Sequence, residues 1–459
     1  MIDPETPEPG PKRSRWHVVA VVALTIVMVA LVELHVRGVN GPWYGVITWR
    51  RYPAVRAYPL MLLCAVPSLL AVVVWPRMRR FRAMLLLLPM LGAMAGKLVF
   101  AELRSEPGPH LVFISQAVQD RLAVSYYIDA VALSNFHGWL ADFPSIMPML
   151  NLHSKTKAPG NILFYMAFIK TLGHSDRTAL IAGIVMGAIA TLSIPACYWF
   201  LRVLVENEMV AFFGACFMGL CPGFVLFFPA SDPAYPFLSC TIGACWILAL
   251  KRDRIVWSIA TGVIAAAILL ISFNVLVFGL FLAAYALFVS GRPIATIAKH
   301  AGVALGVCVV LCGALWLTSG YDPIATFAYA WQNQHALLAE HAGDRPYPNT
   351  AWNDLLDFAL GSGWISFLLA GFTIATTVRT GWRDRPTRIV LLCAALPVLT
   401  AISALLAAET ARVWNFMYPL LMAPVGIELA RQRLVQQLIV VTCLAVILAA
   451  ICRNMSVFM

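Results

Sequence analysis

Runs of about 20 apolar residues recur from one end of this chain to the other, each long enough to cross a hydrocarbon layer about 30 Å thick. Inside lipid a single segment satisfies all its backbone N–H and C=O groups only as a helix. The chain therefore reads as an all-α polytopic membrane protein, a bundle of about 13 transmembrane helices with external juxtamembrane helices. Candidate spans lie near 17–36, 58–75, 83–102, 178–202, 209–228, 235–250, 255–272, 273–290, 297–318, 359–378, 388–407, 413–429 and 435–452. Composition agrees: 61% of residues are hydrophobic and 12% charged, where soluble domains run at about 45–50% and about 25%.

The net charge of +11 does not point to nucleic acid. Its arginines sit in short loops, "WPRMRRFR", "KRDR", "RTGWRDRPTR" and "ARQRL", not along one continuous basic stripe. That distribution is the positive-inside bias of membrane topology, and it places the loops 76–82, 251–254, 379–388 and 431–433 in the cytoplasm. The eleven cysteines all lie within apolar runs, where thiols behave as small hydrophobes. Residues 1–16, Pro-rich and then basic, read as a disordered cytoplasmic tail. Residues 17–452 form one transmembrane domain with external loops 103–157 and 319–357, and 453–459 form an external tail.

Parity adds a constraint. Counting spans from the N-terminus puts 103–157 outside, and counting back from "KRDR" puts the loop around Asp232 outside too. Three apolar stretches lie between these loops, although an even number must cross. The stretch 160–173 is only about fourteen residues, the length of a re-entrant or interfacial segment. It either dips in without crossing, or crosses as a tilted short helix while a neighbour does not.

Four clusters put charge at the outer edge of this apolar chain, where ionisable groups are costly and mark function by default. Asp120 and Asp129 lie in the first external loop. A carboxylate there suits removal of a proton from an acceptor hydroxyl, and the alternative is a solvated helix face. In "HSKTKAPG", His153, Lys155 and Lys157 precede a helix start, where cations and free backbone N–H groups suit a phosphate, or else contact lipid headgroups. Asp232 stands among prolines in "FFPASDPAYPFL", as a substrate ligand or as an N-cap. In "AAETARVWNFMYPLL", Arg412 offers a planar fork that suits phosphate, or pairs with Glu409 one turn away. Trp414 and Tyr418 fit an interfacial aromatic belt. An enzyme needs these groups to converge. A transporter or lipid-linked-sugar flippase, the alternative, needs ionisable groups near the midplane on broken helices.

"HSKTKAPG" resembles the Thr-His-Pro-Pro-Gly motif that opens a membrane helix in GT-C integral-membrane glycosyltransferases of the protein mannosyltransferase and aminoarabinose transferase branch. Lys157 occupies the His/Lys place, and Pro159 keeps the second proline. "ETARVWNFMYP" similarly resembles their late external motif, roughly Glu-x-x-Arg-x-Trp. The resemblance covers about 103–430. It implies inverting transfer of a sugar from a polyprenyl-phosphate (or diphosphate) donor to a glycan, lipid or protein acceptor, on the outer or periplasmic face of a bacterial cell membrane. Asp129 or Asp120 would be the base, with Lys155, Lys157 and Arg412 on the donor phosphate. His153, Asp232, Glu409, Trp414 and Tyr418 would line the substrate site. An adjacent Asp-Glu pair is absent from the first loop, which leaves open both the choice of base and the use of a divalent metal ion.

Overall fold

The helix Ile294–Ser319 shows why this chain needs a membrane. Beyond Lys299 and His300 near its start it is apolar all round, and Leu305, Val309, Val310 and Leu317 point away from the protein. A helix of that kind is stable only when hydrocarbon covers its outer face. The computed structural model describes residues 13–35, 48–49, 56–78, 81–105, 108–134, 138–340, 347–379, 381, 384–404, 406 and 409–456.

Among the described residues, eight helices are long and apolar enough to cross a membrane, or nine if the bent pair Asn349–Ser362 and Ile365–Val378 counts as one span. Several runs expected as single spans are instead divided. The run at 209–228 becomes a helix Glu208–Met218 and a separate turn Pro222–Val225, because Pro222 has no N–H to continue the ladder. The run at 413–429 holds the turn Thr410–Val413, a 3₁₀ turn Asn415–Met417 and a helix Tyr418–Ala430. The segment expected as the second loop runs on into the helix Asn349–Ser362, which meets Ile365–Val378 at a 103° bend. Gly363 makes that bend at φ 86°, and a Cβ there would meet Leu444 Cδ1 at 2.3 Å.

At the N-terminus the helix Arg13–His35 begins inside the expected tail, and residues 1–12 lie outside the described residues. At the other end Leu434–Asn454 leads to Met455–Ser456, which pairs antiparallel with Thr48–Trp49. Small residues let the central helices approach closely, as membrane interfaces require. A Cβ on Gly426 would lie 2.3 Å from the Val210 carbonyl oxygen.

The polar loops separate to two ends. At one, Glu206 pairs with Lys251 at 2.5 Å and Arg385 at 3.0 Å, while Arg82 reaches Glu208 at 2.5 Å. His17 and Arg431 flank Glu428 nearby. The basic loops expected on a common side thus gather together. The other end holds the helices Val112–Gln119 and Tyr126–Leu133, together with Asp232 and Arg412.

The short stretch that parity left open forms the helix Gly160–Leu172. This 13-residue helix starts beside Lys157 and ends at His174–Ser175, where the Tyr127 hydroxyl donates to the Ser175 carbonyl at 3.2 Å. Gln119 reaches Asp176 at 2.8 Å. Before its start, Asn151 reaches Asp129 at 2.6 Å and the His153 N–H donates to Ser125 Oγ at 3.3 Å, so both ends of the short helix lie against the first-loop helices. The next pair of helices runs continuously from Asp176 to Val205 and reaches the opposite end at Glu206.

Candidate functional site

The site is centred on one guanidinium. Arg412 Nη2 contacts Glu409 Oε2 at 2.7 Å, and Nε faces Asp232 Oδ2 at 3.5 Å. The side chains of Arg412 and Asp232 are only 7% and 8% exposed, whereas that of Glu409 is 45% exposed. The i,i+3 pair with Glu409 forms, but it does not use up Arg412, because a stretch 180 residues upstream in sequence supplies the second carboxylate. Asp232 does not cap its own 3₁₀ turn.

The turn Thr410–Val413 is held rigidly from behind. Tyr418 Oη donates to the Ala411 carbonyl at 2.5 Å, and Trp414 Nε1 donates to the Leu406 carbonyl at 2.9 Å. Both rings are fully buried and pack on Phe358. They are core braces and not an interfacial belt. Glycine is required beside them, since a Cβ on Gly223 or Gly361 would sit 2.1 Å from Tyr418 Oη.

His153 joins the cluster as a neutral group. Its Nε2 lies 2.7 Å from the Leu122 carbonyl, so that nitrogen carries the hydrogen, and Nδ1 accepts from Arg412 Nη2 at 3.4 Å. Burial, then the neighbouring Arg412 charge, lowers the imidazole to about 3. The cations here are Arg412 and Lys157. Burial depresses Lys157 to about 8, with the Asp232 charge opposing that shift and the Arg412 charge adding to it. The field places Lys157 among the same acids and guanidinium. Lys155 is half-buried in the preceding turn, and its carbonyl accepts from Asn333 Nδ2 at 2.7 Å.

The two aspartates of the first loop differ. Asp120 is exposed and accepts the Leu122 and Ala123 backbone N–H groups at 2.7 Å each, an Asx-type turn. Asp129 is 3% exposed and accepts from Asn151 Nδ2 at 2.6 Å. It lies one turn after Tyr126, whose hydroxyl is buried near Tyr235, Asp232 and Arg412, and burial raises its pKa well above the ordinary phenol value. Asp129 contacts Asn151, in the segment that carries His153 and Lys157, and not the Arg412 cluster itself.

Several residues at this end were not singled out from sequence. Asn161 Nδ2 donates to Tyr235 Oη at 3.1 Å, and Ser231 bonds the same hydroxyl at 3.1 Å. Asp354 and Asp357 are buried one turn apart on the helix that packs against the Arg412 turn, and Thr410 Oγ1 donates to the Asp354 carbonyl at 2.6 Å. Lys97, fully buried, donates to the Phe224 carbonyl at 2.6 Å behind this turn. Only a helical spacing of polar residues within apolar runs hinted at any of these.

Three apolar hollows adjoin one another, starting at Thr156, the residue before Lys157. The first, about 280 Å³, contains Thr156, Asn274, Phe327 and Trp331. The second, about 520 Å³, shares Phe327 with it and continues past Cys308 to Trp316. The third, about 610 Å³, shares Leu305 and Cys308 and descends to Trp246. Leu276 borders all three.

A divalent cation does not fit this donor set. Asp232 and Glu409 both face Arg412, and Lys157 adds a further positive charge. No group of three His, Cys, Asp or Glu among the described residues is close enough to hold a metal. At the opposite end Ser258, His300 and Asp253 align at 2.6 and 2.8 Å. There the serine and histidine are sealed and the aspartate is 49% exposed. Nucleophilic catalysis needs the reverse, an accessible serine and a shielded acid, so this trio fastens Ile255–Ile271 to Ile294–Ser319. No family model matches the chain, and none of the curated proteins matches it significantly.

Proposed function

We propose that this protein is a GT-C-type inverting glycosyltransferase that takes its sugar from a polyprenyl-phosphate or polyprenyl-diphosphate donor. The observation that carries this reading is the pairing of buried Arg412 with buried Lys157, whose chain neighbour Thr156 borders the first of three adjoining apolar hollows. A phosphate attached to a long hydrocarbon needs those two environments side by side. The bundle of about 13 spans belongs to the same reading, with Glu208–Met218, Ile255–Ile271, Phe273–Val289, Ile365–Val378 and Tyr418–Ala430 completing the eight long helices. The active face is the non-cytoplasmic one, opposite the basic loops, in a bacterial cell membrane.

In the reaction, Asp129 removes the proton from an acceptor hydroxyl while that oxygen attacks the anomeric carbon. The bond from that carbon to the phosphate oxygen breaks, and the lipid phosphate leaves. Arg412 and Lys157, with Lys155 at the rim, stabilise the charge as it develops on the phosphate. Asp232 and Glu409 hold the guanidinium fork in register, and neutral His153 supports it without adding charge. Asn151 orients Asp129. The groove from Thr156 to Trp246 takes the first isoprene units.

The test is to incubate purified protein with a panel of polyprenyl-phosphate sugars and candidate acceptors, and to assay released lipid phosphate. Acceptor-dependent release, lost in Asp129→Asn, supports the proposal. No release from any donor by folded protein removes it.

A further inference from the structure

The helix Tyr235–Arg252 starts beside Asp232 and ends 18 residues later at the far end of the bundle, about 27 Å away at 1.5 Å per residue. There a second cavity of about 520 Å³ opens between the last turns of this helix and of Ser193–Val205. Trp199 and Trp257 wall it, their rings 6.2 Å apart. Arg202, Lys251 and Arg252 face it, against a single acid, Glu206. Lys251 and Arg385 already engage Glu206. The nearby Asp253 is bound by Lys299 and His300. Arg202 and Arg252 are exposed at the rim, Arg202 beside the Tyr198 hydroxyl. The cavity is therefore net positive, and its outer side continues into exposed Ile255 and Val256.

We propose that this cavity binds one anionic phospholipid, with the phosphodiester between Arg202 and Arg252 and the glycerol end of the acyl chains against Trp199 and Trp257. Basic pockets between helix ends select anionic headgroups, and guanidinium groups suit a phosphate oxygen pair. The tryptophan walls and the apolar flank commit the site to lipid and not to free phosphate. It is independent of the donor site, which lies at the other end.

Native mass spectrometry of the full chain, delipidated and titrated with phosphatidylglycerol or with phosphatidylcholine of the same chains, tests this. One phosphatidylglycerol should be retained at roughly tenfold lower concentration than phosphatidylcholine. Arg202→Ala/Arg252→Ala should abolish that preference, Arg202→Lys/Arg252→Lys should keep most of it, and Arg431→Ala, a basic change elsewhere at this end, should leave it intact. Equal retention of both lipids would overturn the proposal. So would unchanged binding in the double alanine variant, an equal loss in Arg431→Ala, or competition by inorganic phosphate as effective as by lipid.

Discussion

The two polar ends of the bundle are built from the same residue types and differ in exposure. At the Glu206 end, Lys251 and Glu206 side chains are 23% and 56% exposed, and water screens their pairing. At the Arg412 end, the guanidinium and Asp232 side chains are only 7% and 8% exposed. Burial raises the effect of each charge on its neighbours, because a low-dielectric site screens little. The same residue types thus make a largely solvated collar at one end and a buried cluster of ion pairs at the other.

Arg412→Ala breaks the comparison most directly. It should reduce lipid-phosphate release by at least about 10²-fold, the scale of removing a transition-state donor. It should also lower stability by about 3–5 kcal/mol, since Asp232 is left buried without its cation. Arg385→Ala at the other end should cost no more than about 1 kcal/mol. Thermal melts and turnover of both variants would separate the ends, and equal destabilisation would contradict the contrast drawn here.

Asp129→Asn should abolish release with a melting temperature close to that of the unaltered chain, whereas Asp120→Ala should keep activity and lose about 1 kcal/mol with its turn. Full activity in Asp129→Asn would take the base role from Asp129.

Lys157 sharpens the electrostatics. Its folded pKa of about 8 lies below the ordinary lysine value, so the cation is present below that pH and is lost as pH rises through it. Donor affinity should fall across pH 7–9, and Lys157→Arg should remove the fall from this window. A pH-independent KM would place Lys157 outside the phosphate contact. The smallest effect concerns the groove. Leu276→Trp should raise KM for a long-chain donor about tenfold, or about 1.4 kcal/mol, and leave a two-isoprene donor nearly unchanged.

Much of this was legible from one-dimensional patterns. Apolar run length identified the long helices, and arginine placement foretold which loops share an end. The segment at 160–173 stands out by length alone, and the residues flanking both of its ends contact the first-loop helices. Span boundaries at 209–228 and 413–429 were misread because the apolar character continues through Pro222 and Pro419 while the helical ladder does not. Trp414 and Tyr418 have the composition of an interfacial pair, and only packing shows that they brace the Arg412 turn from within. His153 reads as a cation in sequence and is neutral in place, because burial and Arg412 both disfavour its charged form.

By itself the sequence determined that this chain lives in a membrane, which of its loops are basic, and which few residues carry charge near a span edge. Hydrophobicity and charge are local properties, and local properties survive in a string of letters. Only the tertiary structure decided that Asp232, His153, Lys157 and Glu409 meet around Arg412, and that Asp120 does not join them. That meeting depends on helix packing between segments up to about 260 residues apart, set by the summed contacts of many apolar side chains.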